Sequence, residues 1–581
     1  MMDFATCGGL QVLAQAALPG LSAFDWVGVA LYFSLVAGIA FWSSRRQRTS
    51  EDYFLAGRNV GWFVIGCSLF ASNIGSEHLV GLAGAGADSG VAMAHYELHA
   101  WCLLVLGWVL LPFYVRSRVF TLPEFLEKRF SPASRWVVSL VSLVAYVFTK
   151  VSVTVFAGGT VVATLLPDLH IGEMGPFWVG ALSTVVLTGI YTIVGGMRAV
   201  VYTEAAQAIV LIGGSLTLTI IGLVKLGGWG VLTSTLDAEM FNLWKPANDP
   251  RFPWPGMLFA APIVGLWYWC TDQYIVQRTL AGKDLKESRR GTIFGAYLKL
   301  TPVFVFIVPG MIGAALRQKG LLSYANTNSV FPAMVGTLLP IGLRGLVVAG
   351  LLAALMSSLA SVFNSCSTLF TVDIYEKLRP NRPERELVTV GRLATSVVVL
   401  AGIAWIPVMQ NISSGLYEYL QSVQAYLAPP LTAIFFLGVF IRRINAHGAL
   451  ASLIVGFMLG LAKLGCQVYA GGLDKDIVAA ATWATHPLVM FGNINFLLFA
   501  VYLFLVSAAI MVVVSLVTAP PPVEKTLGLT MAHRHPTDRA AGRSWTKWDV
   551  IHTGIVLAII LAAYLYFSGL FFSTAGSPAS A

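Results

Sequence analysis

The chain has 581 residues, of which 57% are hydrophobic and 11% are charged, with a formal net charge of +9. A soluble domain usually carries about 25% charged residues, so this composition excludes the series of soluble domains that the length alone would suggest. Charge-free runs such as 27–42 and 551–572 instead predict a bundle of membrane-spanning helices, because about 20 apolar residues cross the hydrocarbon core.

Fourteen hydrophobic segments are predicted to cross the membrane. They cover about 24–43, 58–84, 91–114, 133–166, 174–193, 199–226, 255–277, 291–316, 329–372, 386–410, 414–440, 445–468, 493–518 and 548–573. The ninth segment is long enough to hold a short helix before its crossing. The chain is therefore predicted to be an all-α integral membrane protein with about fourteen transmembrane helices.

The basic residues lie between alternate segments, and this sets the predicted orientation. Clusters follow the first, third, seventh, ninth and thirteenth segments, at 45–58, 116–135, 278–290, 377–392 and 525–547. Positive charge marks the cytoplasmic side, so we expect a multi-pass protein of the cell membrane with both termini external. The same pattern explains the net charge as topology, without a nucleic-acid partner. The polar stretch 519–547 is predicted to be a solvated cytoplasmic linker.

Two predicted spans contain helix-breaking residues at membrane depth. Residues 71–76 of the second span read Ala-Ser-Asn-Ile-Gly-Ser, and the seventh span contains Pro262 and Gly265. Unwound backbone persists in a membrane only where it is buried in protein or lines a wet cavity. Because the two spans are five apart, the interruptions fall at corresponding positions of two halves, which marks the substrate site of an inverted-repeat transporter. Gly and Pro are also common in membrane helices, so neither break is decisive alone.

Ionisable residues inside the predicted spans are functional candidates, because a charge in the membrane is costly. They are Glu77, His78, Glu97, Lys150, Glu204, Asp272, Lys299 and Glu418. Glu77, His78, Glu97 and Lys299 lie closest to the interrupted spans and are the strongest candidates. The others also fit structural ion pairs or positions near helix ends.

A hydroxyl cluster in the ninth span suggests an ion site. Ser357 and Ser358 lie within one helical turn of Ala354. Serines often serve only to pack membrane helices. Hydroxyls and carbonyls freed by unwinding are, however, the oxygen ligands that sodium takes in such carriers. The other half of the site would be the carbonyls of Ala71 and Ile74.

Several long stretches carry a resemblance to a known family. They include SLFASNIGSEHLVGLAGAGADSG at 68–90, YTIVGGMRAVVYTE at 191–204, LWYWCTDQYIVQRTLAGK at 266–283 and MSSLASVFNSCSTLFTVDIYEK at 356–377. From about 25 to 572 the chain resembles the sodium/solute symporter family, and WYWCTDQ resembles its sodium/glucose cotransporter branch more than its proline, iodide or pantothenate branches.

The resemblance implies a LeuT-type core of two inverted five-helix repeats. These repeats would cover 58–226 and 255–440. Residues 1–57 would form an external N-terminus and the first helix, 445–518 two additional helices, 519–547 the linker, and 548–581 the last helix with the C-terminus.

The resemblance also implies roles for individual residues. Sugar hydroxyls would be bound by Asn73, His78, Glu97, Lys299 and Gln421, with Tyr268 as an inner gate beneath the sugar and Trp269 beside it. Sodium would be bound by Ala71, Ile74, Ala354, Ser357 and Ser358. The sugar set is chemically reasonable, because hydroxyls both donate and accept hydrogen bonds and an aromatic face suits the C–H side of a sugar.

A few positions depart from the family pattern. Glu204 stands where an Asp is usual, and Glu77 replaces a small residue. Ala360 stands where members with a second sodium site can carry a hydroxyl, but Ser361 keeps one. Glu204 and Ser361 are therefore the candidates for a second ion site or for coupling.

The predicted function is sodium-coupled import of a hexose, such as glucose or galactose, by alternating access, with Na+ as the coupling ion. A symporter for myo-inositol, choline or an amino acid stays open, as does a membrane sugar sensor. An enzyme is not predicted, because the chain contains no nucleophile elbow, HExxH motif, phosphate-binding loop or cofactor fingerprint.

Overall fold

The computed structural model describes residues 21–44, 49–75, 77–410, 416–473, 478–533 and 544–569. The predicted external N-terminal stretch before residue 21 and the residues after 569 lie outside these ranges, as do the side chains of 405–419, which include Glu418. The longer α-helices are Ala23–Ser44, Trp62–Asn73, Pro132–Tyr146, Ser152–Leu165, Pro176–Leu226, Trp254–Cys270, Leu285–Lys299, Val308–Gln318, Leu343–Thr368, Glu384–Gln410, Leu416–Phe440, Ala446–Gly471, Phe496–Val517 and Lys547–Tyr566.

Shorter elements join these helices. Short α-helices are Ser50–Leu55, Ala83–Ser89, Ala94–Leu98, Trp101–Val105, Leu111–Ser117, Leu122–Arg129, Trp229–Thr235, Gln273–Leu280, Val330–Leu338, Glu376–Leu378 and Pro487–Asn493. π-Helical turns are Glu77–Leu82, Leu106–Leu110, Val147–Val151, Val303–Ile307 and Leu369–Tyr375. The 3₁₀ turns are Ala56–Arg58, Gly90–Met93, Ala238–Phe241, Thr327–Ser329 and Val523–Lys525. β-Pairing in the described residues is limited to isolated bridges from Val60 to Gly282 and from Ile171 to Met174.

Eleven helices within the described ranges are long and apolar enough to cross a membrane. Trp62–Asn73 and Pro176–Ile190 are shorter apolar helices. The predicted all-helical, multi-pass membrane architecture is confirmed.

One glycine divides the longest element. Pro176–Leu226 is bent at Gly196, which has φ 53° and ψ −165°. A Cβ there would lie 2.7 Å from the Tyr53 ring and 2.9 Å from the Tyr53 carbonyl oxygen. Both the left-handed backbone and the close approach require glycine. The bend falls between the fifth and sixth predicted spans.

The second predicted span is interrupted where its sequence indicates. The helix Trp62–Asn73 ends at Ile74, whose backbone is extended at φ −78° and ψ 100°, and helical structure resumes with the π-helical turn at Glu77. We call residues 62–89 the broken helix.

The break in the seventh predicted span was placed wrongly at Pro262 and Gly265. The helix Trp254–Cys270, here called the aromatic helix, continues through both residues. It ends before Asp272, whose side chain accepts a hydrogen bond from the Tyr274 backbone N–H and caps the next helix. A capping carboxylate competes with the helical hydrogen bonds at this point, whereas proline inside a membrane helix is tolerated when neighbours compensate.

The helix that carries the serine cluster is central. Leu343–Thr368, here called the serine helix, is almost entirely buried and contacts the broken helix and Pro176–Leu226. The short helix Val330–Leu338 precedes it as a separate element.

Residues 526–531 of the 519–547 linker pack against the protein instead of being fully solvated, contrary to expectation. Thr526 and Thr530 are buried, Lys525 Nζ donates to the Glu127 carbonyl at 2.8 Å, and Met531 N–H donates to the Val439 carbonyl. Thr526, Leu529 and Thr530 lie among polar residues, so hydropathy alone did not reveal this packing.

Candidate substrate and ion site

A cavity lies beside the break in the broken helix. Its lining residues are Asn73, Glu77, His78, Tyr96, Glu97, His99, Lys150, Val264, Gly265, Tyr268, Trp269, Lys299, Leu420, Gln421 and Gln424. All seven residues assigned to the substrate by resemblance line this one cavity, although they come from five separate parts of the chain.

A buried charged cluster forms one wall. Lys299 Nζ donates to Glu97 Oε2 at 2.6 Å, and His78 Nε2 lies 3.3 Å from Glu97 Oε1. The same His78 nitrogen lies 3.3 Å from Asn73 Nδ2. These four side chains are at most 4% exposed, so the cluster presents donors and acceptors in a place largely shielded from water.

Two further side chains suit an uncharged, hydroxyl-rich ligand. The Gln421 Oε1 atom is buried and has no hydrogen-bond partner among the described residues. Trp269 faces the cluster, with Lys299 Nζ 5.3 Å from the centre of its ring. The amide oxygen offers an acceptor and the indole offers an apolar face, which is how carbohydrate-like molecules are usually held.

Tyr268 stands at the end of the aromatic helix and joins three segments. Its hydroxyl lies 2.5 Å from the Tyr274 hydroxyl, which also donates to the Ser72 carbonyl at 2.6 Å. Lys150 Nζ is 4.9 Å from the Tyr268 ring centre. The predicted gate residue is thus tied to the helix after the seventh-span break and to the broken helix.

Of the predicted sodium ligands on the serine helix, Ser358 lies directly against the break in the broken helix. Ser357 and Ser358 are fully buried, and neither hydroxyl has a hydrogen-bond partner among the described residues. A Cβ on Gly75 would lie 2.8 Å from Ser358 Oγ, so the unwound turn after Ile74 packs directly on the serine helix. Ala354 is buried one turn from Ser358.

The backbone carbonyls of Ala71 and Ile74, beside the break, are also suited to bind a cation. Among the described residues, no backbone N–H donates to the Ala71 or Ile74 carbonyl outside the regular helices. Buried hydroxyls and carbonyls without partners are costly unless something satisfies them. A hard monovalent cation matches this oxygen-only donor set.

Glu204 and Ser361 belong to a separate buried network. Arg278 Nη2 lies 2.9 Å from Glu204 Oε1 and Arg278 Nε lies 3.3 Å from Glu204 Oε2. The hydroxyls of Ser68 and Ser361 both donate to the same carboxylate. Arg278 therefore already supplies a positive charge opposite Glu204, and it also donates to the Tyr274 carbonyl.

Sequence reasoning did not single out three of the polar lining residues, namely Tyr96, His99 and Gln424. Gln424 lies three residues after Gln421 on the helix Leu416–Phe440, so helical spacing would have placed both on one face. Tyr96 lies within the short helix Ala94–Leu98 and His99 directly follows it, and an element of this length gives no periodic signal.

The comparisons with known proteins agree with one another. The model of the sodium:solute symporter family matches residues 53–456. Sodium/glucose cotransporter 4 of Mus musculus is 38% identical over 88% of this chain and 78% of its own length. Sodium/glucose cotransporter 2 of Rattus norvegicus is 39% identical over 88% of this chain and 81% of its own length.

A solved structure shares the fold. A Na+-coupled sialic acid symporter in a substrate-bound outward-open state superposes with a TM-score of 0.69, covering 86% of this chain and 98% of its own, at 23% identity. Taken with the family match over most of the chain, this establishes that the chain belongs to the sodium:solute symporter family.

Proposed function

We propose that the protein is a sodium-coupled symporter that imports a sugar, such as glucose or galactose, by alternating access. The observation that carries the proposal is the position of the cavity. The broken helix contributes Asn73 and His78 to the cavity, and a few residues away it carries Ala71 and Ile74, whose carbonyls are the proposed sodium ligands. A movement of the broken helix would therefore change the geometry of both the sugar site and the sodium site.

The chemistry of the cavity favours a neutral, hydroxyl-rich solute. Glu97 accepts from Lys299 at 2.6 Å and retains lone pairs for a hydroxyl, while Gln421 and Asn73 offer amide groups. Glu97 would disfavour an anionic solute. The relatives named sodium/glucose cotransporters support a hexose rather than choline or an amino acid.

The coupling ion in this proposal is sodium, held by the carbonyls of Ala71, Ile74 and Ala354 and the hydroxyls of Ser357 and Ser358. Binding there would link the broken helix to the serine helix and favour one state of the carrier. A ligand shifts such an equilibrium only through a difference in affinity between states. Glu204 and Ser361 would act in coupling through Arg278, since the guanidinium occupies the place that a second cation would take.

The proposed topology has about fourteen crossings, with LeuT-type inverted repeats at 58–226 and 255–440 and both termini external. The two helix interruptions, at Ile74 and at Asp272, support it, because they fall in the second and seventh predicted spans. Each opens a repeat at the corresponding position.

The test is uptake of labelled glucose, galactose, mannose, fructose and myo-inositol into proteoliposomes, with and without an inward sodium gradient. We expect one hexose to accumulate above its equilibrium level only when the gradient is present. Binding without accumulation would favour a sensor. Sodium-driven uptake of none of the five would exclude the sugar assignment and direct the search to amino acids and choline.

A further inference from the structure

We propose that Glu77 supplies a carboxylate oxygen to the sodium site and that Lys150 is its counter-cation, so that this buried pair sets the affinity for sodium. The inference deepens the proposed function and rests on it. Neither residue belongs to the set of sodium ligands that the family resemblance implies.

The position of Glu77 relative to Ser358 is the first observation. A Cβ on Gly75 would lie 2.7 Å from Glu77 Oε2 and 2.8 Å from Ser358 Oγ. The two oxygens therefore flank the same side of the unwound turn, next to Ile74. The carboxylate is 2% exposed, so this proximity is fixed by packing rather than by a mobile surface side chain.

The partner of Glu77 is the second observation. Lys150 Nζ donates to Glu77 Oε1 at 2.9 Å, whereas Oε2 is the Glu77 oxygen that lies near Gly75 with Ser358 Oγ. Lys150 lies in the π-helical turn Val147–Val151 and is 4% exposed. π-Helical turns are frequent at functional sites because they displace side chains from regular helical positions.

The electrostatics give the two residues opposite effects on a cation. Charges interact strongly over a few ångströms at the effective dielectric of a protein site. Glu77 attracts sodium to the oxygens around Ser358, whereas Lys150 repels it. If the ion pair were purely structural, loss of either partner would destabilise the fold, and the two losses would not shift the sodium affinity in opposite directions.

The pair also connects the ion site with the proposed gate. Lys150 Nζ lies 4.9 Å from the centre of the Tyr268 ring and 5.5 Å from that of Tyr274. A sodium ion that draws Glu77 towards Ser358 would weaken its ion pair with Lys150, and Lys150 contacts the proposed gate residue Tyr268 and its partner Tyr274. The pair therefore provides a physical route from ion binding to the floor of the cavity.

The experiment measures equilibrium binding of ²²Na⁺ to the purified full-length protein, so the readout does not depend on transport. We expect Glu77→Gln to raise the sodium Kd by roughly tenfold or more and Lys150→Gln to lower it. The double variant E77Q/K150Q should bind more weakly than Lys150→Gln alone. Asp25→Asn is the matched control, because Asp25 is a buried carboxylate paired with Arg344 at 2.7 Å outside the cavity, and its sodium Kd should equal the wild-type value.

The outcomes separate this inference from the proposed function. An unchanged sodium Kd in Glu77→Gln, or an equal weakening in both single variants, overturns it. If Glu77→Gln does not fold, equal Kd values for Lys150→Gln and the double variant overturn it instead. Wild-type protein that shows no sodium-driven uptake of any solute refutes the proposed function itself, whereas sodium-driven uptake with a Glu77-independent Kd refutes only the role of Glu77.

Discussion

The hydroxyl groups of Tyr268 and Tyr274 lie 2.5 Å apart across the break between the aromatic helix and the next helix. Tyr274 also donates to the Ser72 carbonyl at 2.6 Å. Since hydroxyls can serve as donor and acceptor at once, these consecutive hydrogen bonds connect the proposed gate residue Tyr268 to the broken helix. Opening of the gate would have to break at least one of these hydrogen bonds.

Tyr274→Phe removes both hydrogen bonds while it keeps the ring. Each is worth about 1 kcal/mol, so we expect sodium-independent efflux of sugar from preloaded proteoliposomes to rise roughly thirtyfold. Tyr426→Phe is the control, because the Tyr426 hydroxyl donates to Gln467 at 2.7 Å and neither residue lines the cavity. If efflux were equally slow in both variants, the hydrogen bonds of Tyr274 would not keep the gate closed.

Gln421→Ala should raise the sugar KM roughly three- to tenfold and leave kcat nearly unchanged, as expected for the loss of one neutral hydrogen bond in ground-state binding. The measurement is initial uptake rate against sugar concentration at saturating sodium. Gln467→Ala, on a helix outside the cavity, is expected to retain the wild-type KM. A normal KM in Gln421→Ala would take this residue out of the substrate site.

Ser358→Ala should raise the sodium concentration for half-maximal uptake on the order of tenfold, because a hydroxyl that contacts a charge is worth more than one in a neutral pair. Ser507→Ala provides a close match, since Ser507 is also fully buried and its hydroxyl has no hydrogen-bond partner among the described residues. If both variants keep the wild-type sodium dependence, the ion lies elsewhere.

Glu204→Gln should sharply lower the thermal unfolding temperature, because Arg278 would be left as an unopposed buried charge, a loss of about 3–5 kcal/mol. Replacement of both residues in E204Q/R278Q should recover part of the stability. Thermal unfolding in detergent, followed by size-exclusion chromatography, distinguishes the variants. A stable Glu204→Gln that loses only cooperativity towards sodium would instead support a second ion site.

The pH dependence of stability should carry a contribution from Glu127, which lies between predicted spans. Burial alone would raise the pKa of Glu127, but hydrogen bonds from Arg135 and Lys377 outweigh it and hold this pKa below its usual value. Because the pKa is lower in the folded state than in the unfolded state, the ionised carboxylate stabilises the fold at pH values above the unfolded-state pKa of about 4.3. This stabilisation is lost as the pH falls through the folded-state pKa.

We therefore expect Glu127→Gln to lower the unfolding temperature at pH 7, with the difference from wild type narrowing as the pH falls below 4. Parallel unfolding curves at several pH values measure this difference. Glu173→Gln, a surface substitution, should show no such trend. If the difference in unfolding temperature between wild type and Glu127→Gln stayed constant across the pH range, Glu127 would stabilise the fold by packing rather than by its charge.

Composition and helix-breaking residues were sufficient to predict the membrane architecture and the first interruption. Long apolar runs form helices in lipid, because a helix satisfies all of its backbone hydrogen bonds internally. The Ser-Asn-Ile-Gly sequence at 72–75 interrupts the helix, because its polar side chains offer the backbone other hydrogen bonds. The second interruption was misplaced because Pro262 is a stronger breaker than Asp272 by propensity. In the folded protein the capping carboxylate decided the position.

The partners of the buried charges were beyond sequence reasoning. Lys150 pairs with Glu77 at a sequence separation of 73, and Arg278 pairs with Glu204 at a separation of 74. Such pairs depend on how distant helices pack, which hydropathy does not encode. The ionisable cavity residues were found because charges at membrane depth are costly, and Asn73, Tyr268, Trp269 and Gln421 were found through resemblance. Tyr96 and His99 were missed because the short helix Ala94–Leu98 gives no periodic signal.

The pairing of charges around the cavity has an electrical consequence. Glu97 is matched by Lys299 and Glu77 by Lys150, so these four described side chains contribute no net charge to the wall. A neutral sugar adds none either. The current that accompanies transport would then arise from the ions alone, and the ratio of charge moved to sugar moved would directly count the ions carried in each cycle.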